Sequence, residues 1–318
     1  MIRAALWATL LLYAAVLLYP FKLQPPRWLK NGAQYGASEL AFPSRGIALT
    51  KEAPRWLAEA IAQNRLAVTI ELRSLKKRQF GPARIIAVSE DTQLRNFDMG
   101  QQGAHLSIRV RTERNDKGMP PFLVRDVFTS DDWHTIHMEI VSGRLLVSVD
   151  GEVRLERPLS AAPMATWDPD MRLALGNELT GNRPWRGEIR KALIAVGEKA
   201  VDYARPGALA VPARYWRVHD RRPNLVPPTR TSVWDAAQNT ALFLPFGFLL
   251  RLRFRRDGWA FALLAIALAG AVSGMFEVLQ LGIKGRHSSA SDVLFNTLGA
   301  AIGYHLPGFL KRQRPAAV

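Results

Sequence analysis

Polar and charged side chains interrupt the apolar C-terminal third of this 318-residue sequence. Glu277 and Gln280 lie near the end of one apolar run, and Asp292 and Asn296 lie near the start of the next. Spacings of three and four residues place each pair on one face of a helix. Because charged groups inside long apolar segments are costly, their presence favours a functional site.

The loop between these runs carries Lys284, Arg286 and His287. Arg286 is expected to reach either carboxylate. One interpretation is a structural network of ion pairs and amides that fixes three helices. The other is a site facing the outer leaflet, with one carboxyl group as acid or base and Arg286 binding a phosphate or carboxylate headgroup. The candidate polar membrane site comprises Asn239, Glu277, Gln280, Arg286, Asp292 and Asn296.

Cofactor chemistry has little support in the sequence. The chain has no cysteine, which excludes disulfides and thiolate metal sites. A metal site from Glu277, His287 and Asp292 matches no recognised ligand spacing. No nucleophile elbow or phosphate-binding glycine loop occurs. We predict no cofactor and no metal, assign no residue as catalytic, and favour a non-enzymatic role while leaving enzymatic activity open.

Four apolar runs are long enough to cross a bilayer as helices, since 18 residues rise about 27 Å. They are residues 4–21, 233–250, 259–281 and 293–310. No small-residue cleavage site follows the first run, so we predict an uncleaved helix. Two pairs of glycines at four-residue spacing, one pair in each of the last two runs, predict close helix packing. They are Gly270, Gly274, Gly299 and Gly303.

The distribution of Lys and Arg predicts the orientation of these helices. Arg3, four arginines in residues 251–256 and three basic residues in 311–314 lie on one side, against Lys284 and Arg286 on the other. Both termini are therefore predicted to be cytoplasmic, and residues 22–232 extracytoplasmic. The net charge of +16 favours anionic partners, above all membrane lipids. Nucleic acid is not predicted, because the basic clusters flank apolar runs.

The middle of the chain has a different period. Short segments that alternate apolar and polar residues are separated by turn residues, which predicts an antiparallel β-sandwich over residues 46–197. Asp150-Gly151 between two such segments predicts a β-hairpin. The predicted fold class is therefore α+β multidomain, a four-helix transmembrane bundle plus an extracytoplasmic antiparallel β-sandwich. Residues 22–45 and 198–232 are predicted linkers, and 311–318 a cytoplasmic basic tail.

The sandwich segment resembles the concanavalin A-like, laminin-G-type jelly roll. The matching marks are the Trp133-His134 pair, the Val-Asp-Gly hairpin at 149–151 and the ending LGNE…WRGEI at 175–189. The resemblance implies two packed sheets and relatives that often bind carbohydrate or protein. Trp133, Trp167 and Trp185 are predicted to lie in the core rather than to bind sugar.

The helical segments resemble the VanZ-like membrane protein family. The matching motifs are NTALFLPFG at 239–247, EVLQ at 277–280 and SDVLFNTLG at 291–299. The resemblance covers residues 4–21 and 233–310, with the sandwich inserted after the first helix. It implies a link with the cell envelope and with low-level teicoplanin resistance, a form of glycopeptide antibiotic resistance.

These features predict a multi-pass protein of the bacterial cytoplasmic (inner) membrane. In the first hypothesis, its external lectin-like domain binds a glycan, a cell-wall polymer or an envelope protein. In the alternative, it is a membrane enzyme or lipid-handling transporter that acts on an envelope lipid or lipid-linked precursor. That activity would use the outer-leaflet cluster of Glu277, Arg286 and Asp292.

Overall fold

The computed structural model describes residues 1–218, 233–254, 258–284, 286 and 288–312, with side chains up to residue 307. Several predicted features lie outside these residues: His287, two arginines of the loop at 251–256, the later part of the return linker and residues 313–318 of the tail. The chain forms two compact units. The sandwich unit is Arg27–Val218, and the helical unit combines Met1–Pro26 with His219–Val318.

The sandwich unit contains two antiparallel sheets. The strands of the larger sheet are β2 (Gln34–Tyr35), β3 (Leu40–Phe42), β5 (Leu66–Ser74), β10 (Trp133–Val141), β11 (Arg144–Val149), β12 (Glu152–Pro158), β14 (Gly187–Val196) and β15 (Lys199–Asp202). Their order is β12-β11-β10-β5-β14-β3-β2, with β15 also paired to β14. The strands of the smaller sheet are β4 (Ala48–Leu49), β6 (Gln79–Ser89), β7 (Arg95–Gly103), β8 (His105–Val110), β9 (Phe122–Val124) and β13 (Leu173–Leu175). Their order is β4-β13-β6-β7-β8-β9.

Two further elements complete this unit. Strands β1 (Arg27–Lys30) and β16 (Arg214–Arg217) pair with each other in an antiparallel ribbon. Helix α2 (Arg55–Gln63) buries Trp56, Leu57 and Ala60, as its helical spacing of apolar residues predicts.

Alternating side chains build the core of the sandwich. Burial along β5 alternates residue by residue, so that Val68 and Ile70 point inward. They pack in one apolar cluster with Phe97 and Ile108 of the other sheet. The prediction of an antiparallel β-sandwich is confirmed.

The predicted hairpin is present between β11 and β12. Asp150 and Gly151 have φ angles of 54° and 86°. Both therefore lie in the left-handed region that a two-residue primed turn requires. Asn, Asp and Gly adopt this region at lowest cost, which is why the dipeptide predicts the turn.

The segments expected to be linkers contain strands. Residues 22–45 contribute β1, β2 and β3, and the described part of the return linker contributes β15 and β16. These strands are two to four residues long. An alternating pattern cannot be recognised over so few residues, and the pairing partners are distant in sequence.

The three tryptophans of the sandwich differ in burial. Trp167 and Trp185 are 5% and 0% exposed and lie in the core, as predicted. Trp133 does not, because it lies on the opposite face of β10 from the buried Ile136 and Met138. Its ring instead lies 3.7 Å from the guanidinium carbon of Arg190.

The helical unit contains four long helices, α1 (Ile2–Leu18), α3 (Val233–Phe254), α4 (Trp259–Gln280) and α5 (Ala290–Arg312). They share an apolar cluster that includes Tyr13, Phe243 and Ala269. Tyr13 of α1 stacks on Phe243 at 4.6 Å and donates a hydrogen bond of 2.6 Å to the carbonyl of Leu242. Leu242 follows Ala241, whose carbonyl loses its helical donor because Pro245 has no N–H.

Of the described helices, only α4 is long and apolar enough to cross a membrane, and α1 is a shorter apolar helix. Helix α3 carries Asp235, Arg251 and Arg253 within its length. The four predicted helices are therefore present, whereas their crossing of a membrane as a bundle stays a prediction.

Glycines allow α5 to approach α3. A Cβ atom on Gly299 or Gly303 would collide with the carbonyl oxygen of Thr240 or Leu244. The predicted small-residue face of α5 is therefore a close-packed interface. On α4, the predicted close packing is present only at Gly270, which lies near Thr297. A Cβ atom on Gly274 would meet open space.

Candidate functional site

Side chains from three helices meet along one face of α5. Asn239 of α3 donates a 2.9 Å hydrogen bond from Nδ2 to Oδ1 of Asp292. One turn further along α5, Asn296 donates a 2.8 Å hydrogen bond from Nδ2 to Oγ of Ser273 on α4. Asn296 and Ser273 are 1% and 0% exposed. The two asparagines thereby link α3, α4 and α5 by polar contacts inside an otherwise apolar packing.

Glu277 belongs to α4, and its side chain lies beside the start of α5. It is 6% exposed. Its Oε2 accepts a 2.7 Å hydrogen bond from the backbone N–H of Ser289, the residue before α5 begins. The N-terminus of a helix carries a partial positive charge and unpaired N–H groups. Asp292 occupies the first turn of the same helix. The N-terminus of α5 therefore stabilises both carboxylates.

Arg286 does not form the expected ion pair. Its Nε donates a 2.7 Å hydrogen bond to the carbonyl of Tyr19, and its Nη2 donates to the carbonyl of Val16. Gln280 donates from Nε2 to the carbonyl of Leu17 at 3.2 Å. The last carbonyls of a helix have no partner within the helix, and an arginine at that end also complements the helix dipole. Arg286 and Gln280 therefore cap the C-terminus of α1.

The structure thus divides the six predicted residues into two groups. Asn239, Asp292 and Asn296 link helices around the start of α5, and Glu277 joins them through Ser289. Gln280 and Arg286 bind the end of α1 instead.

Two contributors were missed from the sequence. Ser273 lies four residues before Glu277 and so shares its helical face, a signal that was available. The backbone N–H of Ser289 could not be read from any residue type.

Both carboxylates of this cluster accept hydrogen bonds from neutral donors. Within the described part of the chain, no Lys, Arg or His nitrogen lies within 4.0 Å of Glu277 or Asp292. The same residues contain no group of three or more metal-ligating side chains. A buried carboxyl group held by neutral donors can keep or pass a proton, or can receive a cationic or hydroxyl group from a ligand.

A second candidate site is a cleft of about 580 Å³ in the sandwich unit, where β6 begins and β7 ends. Phe80 lines this cleft and is 100% exposed. A fully exposed aromatic ring beside polar groups is typical of a ligand-binding surface. The other lining residues are Arg78, Gln79, Gly81, Gln102, Gly103, Ala104, His105 and Asp126.

The hydrogen bonding of His105 defines what it offers to a ligand. Its Nδ1 accepts a 3.0 Å hydrogen bond from the backbone N–H of Asp126, whereas the Asp126 carboxylate lies 3.5 Å away. The shorter contact requires Nδ1 to be unprotonated, so a neutral His105 carries its proton on Nε2. The cleft therefore combines an aromatic ring, an imidazole N–H, the amide of Gln102 and the guanidinium of Arg78.

A third cluster of ionisable groups is buried in the sandwich unit. Asp98 lies 3.3 Å from Arg84 and 3.0 Å from Arg95, and all three side chains are at most 2% exposed. Burial lowers the pKa of Arg84 to about 10, although Asp98 acts in the opposite direction. Burial also raises the pKa of Glu178, whose Oε1 accepts a hydrogen bond from Thr180. Because these acids have arginine or hydroxyl partners, this cluster fits a structural network.

The two units define the class of protein: an antiparallel β-sandwich with an open cleft, in one chain with a helical unit that buries the carboxyl group of Glu277. Residues 205–311 match the model of the VanZ/LLP1 family. Protein VanZ of Enterococcus faecium is 33% identical over 96 residues, which are 30% of this chain and 58% of that protein. The predicted VanZ-like resemblance is confirmed for this part of the chain. The matched residues do not include α1, whose inclusion stays a prediction.

Several solved structures are similar to part of this chain. Domains LG4–5 of the mouse laminin α1 chain share 17% identity over 61% of this chain and 49% of that chain, with a TM-score of 0.38. The binding domain of botulinum neurotoxin serotype D shares 11% identity over 53% of this chain and 42% of that chain, with a TM-score of 0.40. A pentraxin from Limulus polyphemus shares 13% identity over 54% of this chain and 76% of that chain, with a TM-score of 0.35. The sandwich is defined by its own strand pairing, independently of these similarities.

Proposed function

We propose that this chain is a multi-pass protein of the bacterial cytoplasmic membrane whose sandwich unit stands outside the cytoplasm. In this proposal the sandwich binds a glycan, a cell-wall polymer or an envelope protein, and the helical unit holds it at the membrane. The cleft at Phe80 carries the proposal, because its exposed ring and polar neighbours suit a ligand that has both apolar and hydroxyl-bearing faces.

Membrane insertion has separate support. The VanZ/LLP1 match covers α3, α4 and α5, and α4 has the length and composition of a membrane span. The side-chain amides of Asn239 and Asn296 donate to partners within the helical unit, as a lipid environment requires. The count of Lys and Arg in short loops favours cytoplasmic termini.

The orientation can be tested by cysteine labelling, because the sequence contains no cysteine. Val153→Cys, on an exposed position of β12, should react with a membrane-impermeant maleimide in intact spheroplasts. Ala317→Cys, in the C-terminal tail, should react only after the membrane is permeabilised. Labelling of Ala317→Cys alone in intact spheroplasts would contradict the proposed orientation.

Ligand binding is tested with the full chain in detergent on arrays of glycans and purified cell-wall polymers, together with pull-down of envelope proteins. Phe80→Ala should weaken binding about fivefold, because a stacked aromatic ring contributes on the order of 1 kcal/mol. Leu123→Ala removes an exposed apolar side chain from the same sheet and should leave binding unchanged. Absence of any ligand, or equal binding by wild type and Phe80→Ala, would contradict the proposal.

A second candidate function is favoured by the carboxyl groups of the helical unit. Glu277 and Asp292 are held by neutral donors, so they could serve an enzyme or a lipid-handling transporter that acts on an envelope lipid or lipid-linked precursor. In this alternative, Arg286 must release the carbonyls of α1 before it binds a headgroup.

Glu277→Gln and Asp292→Asn test this alternative because both keep the shape of the side chain and remove its charge. Growth on teicoplanin would be compared at equal amounts of membrane-inserted protein. Loss of resistance at unchanged protein level supports the alternative. Full resistance in both variants rejects it, and loss that follows the amount of folded protein assigns the cluster to structure.

A further inference from the structure

The first and last strands of the sandwich unit in chain order, β1 and β16, pair as a two-stranded ribbon. In this ribbon, Trp28 of β1 is paired with Trp216 of β16, and Lys30 is paired with Arg214. Strand β1 begins directly after Pro26. Strand β16 ends directly before Val218, which is the last residue of the unit. Both chain connections to the helical unit therefore leave from this ribbon.

The two faces of the ribbon have different environments. Leu29 and Tyr215 point into a small apolar cluster with Ile47 and Leu179, which attaches the ribbon to the sandwich. The opposite face carries Trp28 and Trp216, whose rings lie 5.3 Å apart in an edge-on arrangement. Trp28 is 63% exposed and Trp216 is 38% exposed. A pair of adjacent exposed tryptophans indicates a binding surface rather than a core.

The charge of the exposed face indicates its partner. Lys30 and Arg214 lie beside the tryptophans, both exposed, and the eight residues of the ribbon include no acid. Tryptophan interleaved with Lys and Arg is typical of surfaces at the headgroup level of a membrane, where the rings enter the interface and the cations bind phosphate.

The position of the ribbon in the chain supports the same partner. Eight residues separate the end of α1 from β1, so at most about 30 Å of extended chain can separate them. This connection begins with Tyr19 and Phe21, which are 67% and 59% exposed. Aromatic residues directly after an apolar helix are typical of the membrane interface.

We propose that Trp28, Lys30, Arg214 and Trp216 form a membrane-docking surface for the anionic phospholipid headgroups of the outer leaflet. The inference rests on the proposed membrane insertion of the helical unit. The surface attaches the sandwich to the bilayer in addition to the two chain connections, and restricts its tumbling.

The absence of cysteine allows a direct test with the full chain. Trp28→Cys carrying a spin label keeps the other three residues of the surface. The protein is reconstituted into vesicles of phosphatidylcholine with phosphatidylglycerol, or of phosphatidylcholine alone. Collision of the label with oxygen, which concentrates in lipid, is compared with collision with a water-soluble nickel chelate. Val153→Cys on β12 is the control for an exposed position of the sandwich.

In vesicles with phosphatidylglycerol, the ratio of oxygen to nickel collisions at position 28 should exceed that at position 153 at least about threefold. Adding Lys30→Glu and Arg214→Glu, or omitting phosphatidylglycerol, should reduce this difference. Because only purified lipid is present, immersion of the label assigns the surface to lipid rather than to a protein or glycan.

Equal collision ratios at positions 28 and 153, in protein that resists carbonate extraction from the vesicles, overturn the docking surface and leave membrane insertion intact. Failure of the chain to insert overturns the membrane proposal and the docking surface together. An immersion that does not respond to the charge reversals overturns the role of Lys30 and Arg214.

Discussion

The sandwich unit and the helical unit both bury acidic side chains, but they compensate the negative charge differently. In the sandwich, Asp98 lies between the buried guanidinium groups of Arg84 and Arg95. In the helical unit, Glu277 and Asp292 accept hydrogen bonds from a backbone N–H and from Asn239 at the N-terminus of α5. One set of acids is neutralised by fixed cations, and the other by the partial charge of a helix end.

This difference separates a structural cluster from a candidate site. The loss of one partner in a buried ion pair leaves a charge in a medium that solvates it poorly. A carboxyl group held by neutral donors can change its charge without leaving a cation unpaired. The helical cluster is therefore the one whose carboxyl charge can be removed at low cost in stability, which is the property that the proposed acid–base or transport role requires.

The largest expected effect is at the sandwich network. Asp98→Asn should destabilise the protein by about 3–5 kcal/mol, because Arg84 and Arg95 lose their shared acid. Urea unfolding followed by tryptophan fluorescence measures the change. Asp131→Asn, at an exposed position, should change stability by at most about 0.5 kcal/mol. A loss below about 1 kcal/mol at Asp98 would mean that the two clusters of acids do not differ in their dependence on charge.

The close approach of α3 and α5 should give the next largest effect. Gly299→Ala places a Cβ atom on the carbonyl of Thr240, and the resulting separation of the helices should cost about 1–3 kcal/mol. Gly274→Ala adds a methyl group in open space and should be neutral or stabilising. Thermal unfolding in detergent, followed by helical circular dichroism, compares the two variants. Equal effects would show that the helices are not packed as described.

Glu277→Gln should change stability by less than about 1 kcal/mol, because the amide oxygen can still accept from the N–H of Ser289. Glu277→Leu should cost about 1–3 kcal/mol, since this N–H then has no acceptor. The same unfolding assay serves both variants. A large loss for Glu277→Gln would reveal a charge-dependent partner and would make the cluster similar to the Asp98 network.

The smallest effect concerns the hairpin at Asp150. Partial burial acts to raise the pKa of Asp150, but hydrogen bonds from His134 and from the N–H of Thr135 outweigh it, so the pKa lies below its usual value. An acid with a lowered folded-state pKa stabilises the fold above its unfolded pKa of about 3.9, and this stabilisation disappears as the pH falls through the folded pKa.

Asp150→Asn keeps a residue that tolerates the left-handed φ and removes the charge. The variant should be less stable at neutral pH by about 0.5 kcal/mol or less, since the carboxylate is half exposed. The difference from wild type should shrink below about pH 4 and vanish only once the pH lies below the lowered folded-state pKa of Asp150. Urea unfolding across this pH range measures it, and a difference that does not depend on pH would contradict the assignment.

Prediction from the sequence succeeded where a pattern repeats within one element. The alternation of residues 66–72 predicts β5, and the apolar runs predict the four long helices, because burial follows the geometric period of each element. Asp150-Gly151 predicts its turn because few residues adopt positive φ. The VanZ-like motifs predict a resemblance that the family match confirms over residues 205–311.

Prediction failed where the partner of a residue is distant in sequence. Arg286 was expected to pair with Glu277 or Asp292, its neighbours in the chain, but it binds carbonyls of α1 more than 260 positions away. The sequence predicts linkers at β1 and β16 because neither strand has a recognisable pattern by itself. Their two tryptophans meet only after the strands pair.

The sequence by itself determined the two kinds of unit, the elements in each and the residue types available for chemistry, because periodicity, turn preference and charge are local properties. Only the tertiary structure decided which charges are neutralised and by what. The N–H of Ser289, the carbonyls at the end of α1 and the open space at Gly274 belong to the backbone in three dimensions. Backbone groups are identical along the sequence, so their roles exist only once the chain has folded.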